Sequence, residues 1–97
     1  MKKNIVGESC KKIRIAKGLK QNQVATLLSK NGWIISRETY AKIENGIRYV
    51  SDEEILYLSE ALNVEIPELF PPTNELKVLA QNIVKINNRS TSANLMQ

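Results

Sequence analysis

Ninety-seven residues with an apolar fraction of 42% make one small domain with a single core. No apolar run reaches the length of about 18 residues that a membrane helix needs. One cysteine excludes an intramolecular disulfide, and the absence of histidine excludes a zinc site of the usual Cys/His type.

The basic start MKKNIVGESCKKIR has no apolar stretch of the kind a secretory signal carries, so a reducing cytoplasm is the expected compartment. The net charge of +4 is unevenly spread. Residues 1–50 carry eleven Lys or Arg against Glu8, Glu38 and Glu44, a balance of +8. Residues 51–97 carry seven acids against Lys77, Lys85 and Arg89, a balance of −4. Such segregation suits one end of the molecule to a polyanion, unless the clustering is chance.

The apolar spacing is helical throughout. A first helix is expected from Ile5 to Lys17, with Val6, Cys10, Ile13 and the stem of Lys17 on one side. Gly18 provides a left-handed exit, with Leu19 packing back. A second helix runs from Gln21 to Lys30, turning Val24, Leu27 and Leu28 inward, and Asn31-Gly32 stops it. The third runs from a Ser36 cap to the Asn45-Gly46 exit. Ser51-Asp52-Glu53-Glu54 is a capping box opening a fourth helix, which ends near Leu62 and buries Ile55, Leu58 and Leu62. A short fifth begins near Pro67, a suitable first-turn residue, and ends by Phe70. Past Pro71-Pro72, Leu76, Leu79, Ile83 and Ile86 are spaced 3, 4, 3, an apolar seam of about one and a half heptads. This divides the chain into a domain over 1–70, a helix within 71–88 and a polar, flexible tail over 89–97.

At about 100° per residue, Arg37, Glu38, Ala41 and Lys42 occupy about 140° of one face of the third helix. Thr39, Tyr40 and Ile43 fall opposite. Tyr40 and Ile43 therefore anchor the helix, and the charges face outward beside a small alanine that allows close approach. An ordinary solvated face is the simpler alternative. Glu44 sits in the last turn, where the helix dipole disfavours it, which calls for a partner; Arg14 is the best placed. Lys20 opens the second helix where Ser, Thr, Asp or Asn would cap better, but a cation there reinforces an anion site at the free amides near Gln21 and Asn22.

Gly18-Leu19-Lys20-Gln21, Val24-Ala25, Ser36 through Gly46, Arg48, Ser51 and Ala61-Leu62-Asn63-Val64 together resemble the Cro/phage-repressor helix-turn-helix family, over residues 5–70. The resemblance implies an all-α, five-helix lambda repressor-like domain, here with an extra C-terminal helix, whose third helix enters the DNA major groove. It implies base contacts from Arg37, Glu38 and Lys42, with Thr39 a neighbouring contact. Gln21 would touch a phosphate and steady the recognition helix. Lys20 joins Gln21 as a phosphate clamp, and Asn45, Gly46 and Arg48 fall in a loop along the DNA backbone. Arg14 and Glu44 match a buried ion pair. Two departures stand out. Seven residues, SKNGWII, separate Leu28 from Ser36, where many members have about two, and Val50 replaces a frequent proline. Trp33 in that stretch packs over the loop or touches the DNA backbone.

Arg37 and Lys42 can donate to guanine O6 and N7, and Glu38 can accept from cytosine N4. Lys11, Lys12, Lys20 and Arg48 would add sequence-independent phosphate attraction. The expected function is a DNA-binding transcriptional regulator, a repressor on a palindromic operator. It would act as a dimer through Leu76, Leu79, Ile83 and Ile86; the same stripe could instead fold onto its own domain. The alternative is an antitoxin or docking module whose C-terminal helix holds a protein partner and whose DNA binding is autoregulatory. No cofactor or metal is expected, and an enzyme lacks the machinery: no metal cluster and no Gly-rich phosphate loop.

Overall fold

The computed structural model describes residues 2–71, which form α1 (Gly7–Ala16), α2 (Gln21–Lys30), α3 (Arg37–Glu44), α4 (Asp52–Leu62) and a 3-10 turn at Ile66–Leu69. Side-chain caps open α3 and α4, and left-handed glycines follow α1 and α3. Ser36 Oγ accepts from the Thr39 amide at 3.1 Å, satisfying one of the orphan donors at the start of α3. Ser51 and Glu54 make a reciprocal capping box on α4, at 3.2 and 3.0 Å. At α2 only half of such a box can form: Gln23 Oε1 accepts from the Lys20 amide at 2.7 Å, but an ammonium has nothing to accept with. The chain leaves α1 through Gly18 and α3 through Gly46, at φ of +72° and +75°.

The predicted fifth helix is instead the single 3-10 turn, so the domain has four α-helices among the described residues. Prolines bracket this stretch. Pro71 excludes Phe70 from the α region, and Phe70 is indeed extended at φ −97°, ψ 163°. With Pro67 at its start, only four residues remain for the turn. The expected seam of Leu76, Leu79, Ile83 and Ile86 and the tail 89–97 lie outside the described residues. α1 also starts later than expected, because Asn4 Oδ1 accepts from the amides of Val6 and Gly7 at 3.2 and 2.8 Å.

The core lies where the four helices meet. Val6, Cys10, Val24, Leu28, Tyr40, Ile43, Leu58, Leu62 and Leu69 are all at most 2% exposed. Burying side chains of this size stabilises by about 1.5–3 kcal/mol each. α3 packs on α1 and α2; α4 packs on the same two helices and on the 3-10 turn. Lys17, expected to lay its stem inward, is exposed and its ammonium donates to Asn63 O at 3.3 Å, at the end of α4. The approach of α1 to the end of α3 is close enough to need glycine: a Cβ on Gly7 would collide with the Ile43 carbonyl and stand 3.0 Å from Glu44 O.

Candidate nucleic-acid interface

The two buried anchors of α3, Tyr40 and Ile43, dictate which side faces out. Arg37, Glu38 and Lys42 are exposed on that side, with half-buried Ala41 among them; Thr39 is half-buried and accepts from Ser36 Oγ at 3.0 Å. Among the described residues Lys20, Lys30 and Lys42 make no ion pair. Arg37 touches Glu38 at 3.5 Å, a long contact between exposed groups.

Behind this face runs a chain of hydrogen bonds linking three helices. Arg14 Nε donates to Glu44 Oε2 at 2.7 Å, and its NH2 to Oε1 at 3.1 Å. The Gln21 amide donates to Glu44 Oε1 at 3.0 Å, and its Oε1 accepts from Arg37 at 3.4 Å. Arg14 also donates to Leu19 O at 2.9 Å, tying in the loop before α2. Glu44 is only 3% exposed. Burial works against its charged form, but the hydrogen bonds from Arg14 and Gln21 and the nearby Tyr40 hydroxyl outweigh it and hold its pKa below 4.5. The same carboxylate raises the Arg14 pKa. Burial, then the Glu44 carboxylate, pushes the Tyr40 phenol well above 10; its hydroxyl has no partner of hydrogen-bond geometry. Both ends of the Gln21 side-chain amide are thus engaged within the domain, one by buried Glu44 and one by exposed Arg37.

The loop after α3 holds Asn45, exposed, and Arg48, half-buried. Arg48 grips Glu54 with both terminal nitrogens, at 2.9 and 3.0 Å, and donates to Tyr49 O at 2.8 Å. Three of its five N–H donors are therefore used within the fold. The Arg48 hydrogen bonds lower the Glu54 pKa. The guanidinium lies 5.5 Å from the Trp33 ring, which tilts against Tyr57 at 6.1 Å. Of the two placements open to Trp33, the observed one is packing over the loop.

Sequence reasoning passed over Asn4. Besides capping α1, its amide donates to Ile43 O at 3.0 Å and to Arg48 O at 2.9 Å, while the Lys3 amide donates to Gly46 O at 2.7 Å. The amino-terminal strap therefore fixes the exit of the exposed helix. An Asn just ahead of an apolar-periodic segment is a capping signal, but its contacts with residues 43 and 48 leave no local trace.

Lys11 and Lys12 are exposed on α1 and join no ion pair among the described residues. No helix among those residues is long and apolar enough to cross a membrane.

A short helix anchored by two core residues and steadied by a second helix through a buried carboxylate holds Arg37, Glu38 and Lys42 in fixed places on an exposed face, with Lys42 unpaired among the described residues. A helix-turn-helix family model matches residues 11–69. The chain is similar to the restriction-modification controller protein C.AhdI from Aeromonas hydrophila, at 37% identity, covering 67% of this chain and 87% of that one with a TM-score of 0.59. It is similar to the DNA-binding domain of BldD at 25% identity, covering 71% and 93% of the two chains with a TM-score of 0.59. A hypothetical transcription factor, NHTF, from Neisseria shares the fold at 19% identity and a TM-score of 0.63, over 81% of this chain and 85% of that one. A search of curated protein sequences returned no match. The family model covers more than half of the chain, which belongs to the Cro/phage-repressor helix-turn-helix family of DNA-binding transcription regulators.

Proposed function

We propose that the protein is a repressor that reads a palindromic operator as a homodimer. Arg37, Glu38 and Lys42 contact base edges and Thr39 supports them. Lys20, the Gln21 amide, Asn45 and the remaining donors of Arg48 hold phosphates. The observation that supports this most directly is Lys42: exposed on the outer face of α3, in the last turn, with no ion pair among the described residues. Pairing through Leu76, Leu79, Ile83 and Ile86 would set two recognition helices about 34–36 Å apart, one DNA turn. Similarity to a restriction-modification controller extends the proposal to control of such genes.

The test is selection of genomic fragments at two salt concentrations, followed by two variants. Lys42→Ala should relax preference at one base position, by about 1–3 kcal/mol of discrimination. Lys20→Ala should weaken all sequences alike and reduce the salt slope by about 1. Equal losses on every sequence for both variants would remove Lys42 from base reading. Selection of no preferred site would favour a protein-docking role instead.

A further inference from the structure

The turn between α2 and α3 carries an apolar side chain that the fold does not use. Ile34 is 88% exposed, the most exposed of the large hydrophobic residues in the described domain. Its position is imposed by its neighbours. Trp33 and Ile35 both pack against the core, so the residue between them is turned out. The backbone on either side is fixed, with the Trp33 amide donating to Leu28 O at 2.9 Å and the Ile35 amide to Ser29 Oγ at 3.4 Å. Ile34 is presented from a braced turn.

What it borders gives it a use. Ile34 lies on an open groove of about 590 Å³, shared with apolar Ala25 and Ile35, polar Asn22, Thr26 and Ser29, and the cations Lys30 and Arg37. No acid lines this groove, and two cations flank it. An isolated apolar surface would suit many partners, but this small one of Ile34, Ile35 and Ala25 is bordered by cations and by hydroxyl and amide groups. That combination matches one ligand in particular: duplex DNA at a thymine, whose C5-methyl is the apolar feature of the major groove and whose flanking phosphates are anionic.

We propose that Ile34 is a specificity-determining residue that packs on the C5-methyl of a thymine in each half-site, while Lys30 and Arg37 face the neighbouring phosphates or base edge. The assignment rests on the reading of α3 as the DNA-contacting helix. The lengthened turn thereby adds an apolar reader beside the polar ones.

The experiment uses the full chain and the operator it selects. Each thymine is replaced in turn by deoxyuridine, which removes only the methyl group. One replacement per half-site should weaken wild-type binding about four-fold, as burial of one methyl group implies. Ile34→Ala loses the contact in both half-sites, so it should weaken binding to the unmodified operator by the square of that factor, about sixteen-fold, and become indifferent to that one replacement. Ile34→Val should retain part of the sensitivity. Because Ile34 touches solvent rather than core, an unchanged melting temperature for the alanine variant accompanies the expected result. Full deoxyuridine sensitivity in Ile34→Ala, or an equal loss on every DNA sequence, overturns the assignment while leaving the DNA-reading role of α3 intact. A wild-type protein that enriches no sequence at all overturns both.

Discussion

Glu44 carries a buried charge in the last turn of α3, where the helix dipole repels it. Arg14 and Gln21 hold it there, and the arrangement has a definite pH signature. The folded carboxyl titrates below 4.5 and the unfolded one near its ordinary value, so the unfolded chain takes up the proton first on acidification. The stabilisation is present above that ordinary value and is lost as pH falls through the folded pKa. Glu54, also lowered by its arginine, acts in the same direction. Urea unfolding from pH 7 downwards should therefore show stability declining below about 4.5. Glu44→Gln should flatten that decline and cost about 3–5 kcal/mol at pH 7, because Arg14 is left half-enclosed without its counter-charge. A variant as stable as the parent at pH 7 would show that the pair only orients α3.

At the scale of the elements, two glycines separate two kinds of constraint. Gly18 has φ +72° but nothing within 4 Å of a Cβ placed there, so Gly18→Ala should cost about 1 kcal/mol of backbone strain. Gly7 is the first residue of α1, in ordinary helical backbone that alanine also adopts, yet its Cβ would run into the Ile43 carbonyl. Gly7→Ala should cost more, about 1–3 kcal/mol, and should move the end of α3. Urea midpoints give the ranking, and the reverse order would refute the contact.

These elements also show what a sequence displays. Ser36, Ser51 with Glu54, and the glycines after α1 and α3 are signals confined to a few residues, so helix ends can be read from them. The burial of Tyr40 and Ile43 follows from periodicity alone. The fifth helix was misjudged because Pro67 reads as a good start, while the veto comes from Pro71 acting on Phe70. The Asn4 clamp and the stack of Arg48 on Trp33 join segments that no periodicity relates. The outward face of α3 is legible from periodicity; that Gln21 steadies α3 follows only from the family resemblance, because its links to Arg37 and Glu44 depend on how α2 crosses α3.

At the scale of the whole molecule the charge asymmetry acquires an arrangement. Among the described residues the uncompensated lysines lie on the first three helices and their loops, whereas Asp52, Glu53, Glu54 and Glu60 belong to α4. Opposite signs on different elements would orient the domain as it approaches a duplex, with association slowing as salt rises. The proposed pairing through Leu76, Leu79, Ile83 and Ile86 belongs to this scale too. Ultracentrifugation should find the full chain dimeric and a chain ending at Pro71 monomeric. A dimer that survives the truncation would place the interface elsewhere.

The strap of Lys3 and Asn4 across the exit of α3 has a consequence in time. Asn4 bonds to carbonyls 39 and 44 residues further along. At a synthesis rate of about 5–20 residues per second, the amino terminus must wait about 2–9 s before those acceptors have been made. During that interval the beginning of α1 lacks its fastening and the last turn of α3 does not yet exist. The exit of α3 is therefore fastened by Lys3 and Asn4, acting late. A nascent chain that stops short of Arg48 still lacks one of the two carbonyls that Asn4 fastens.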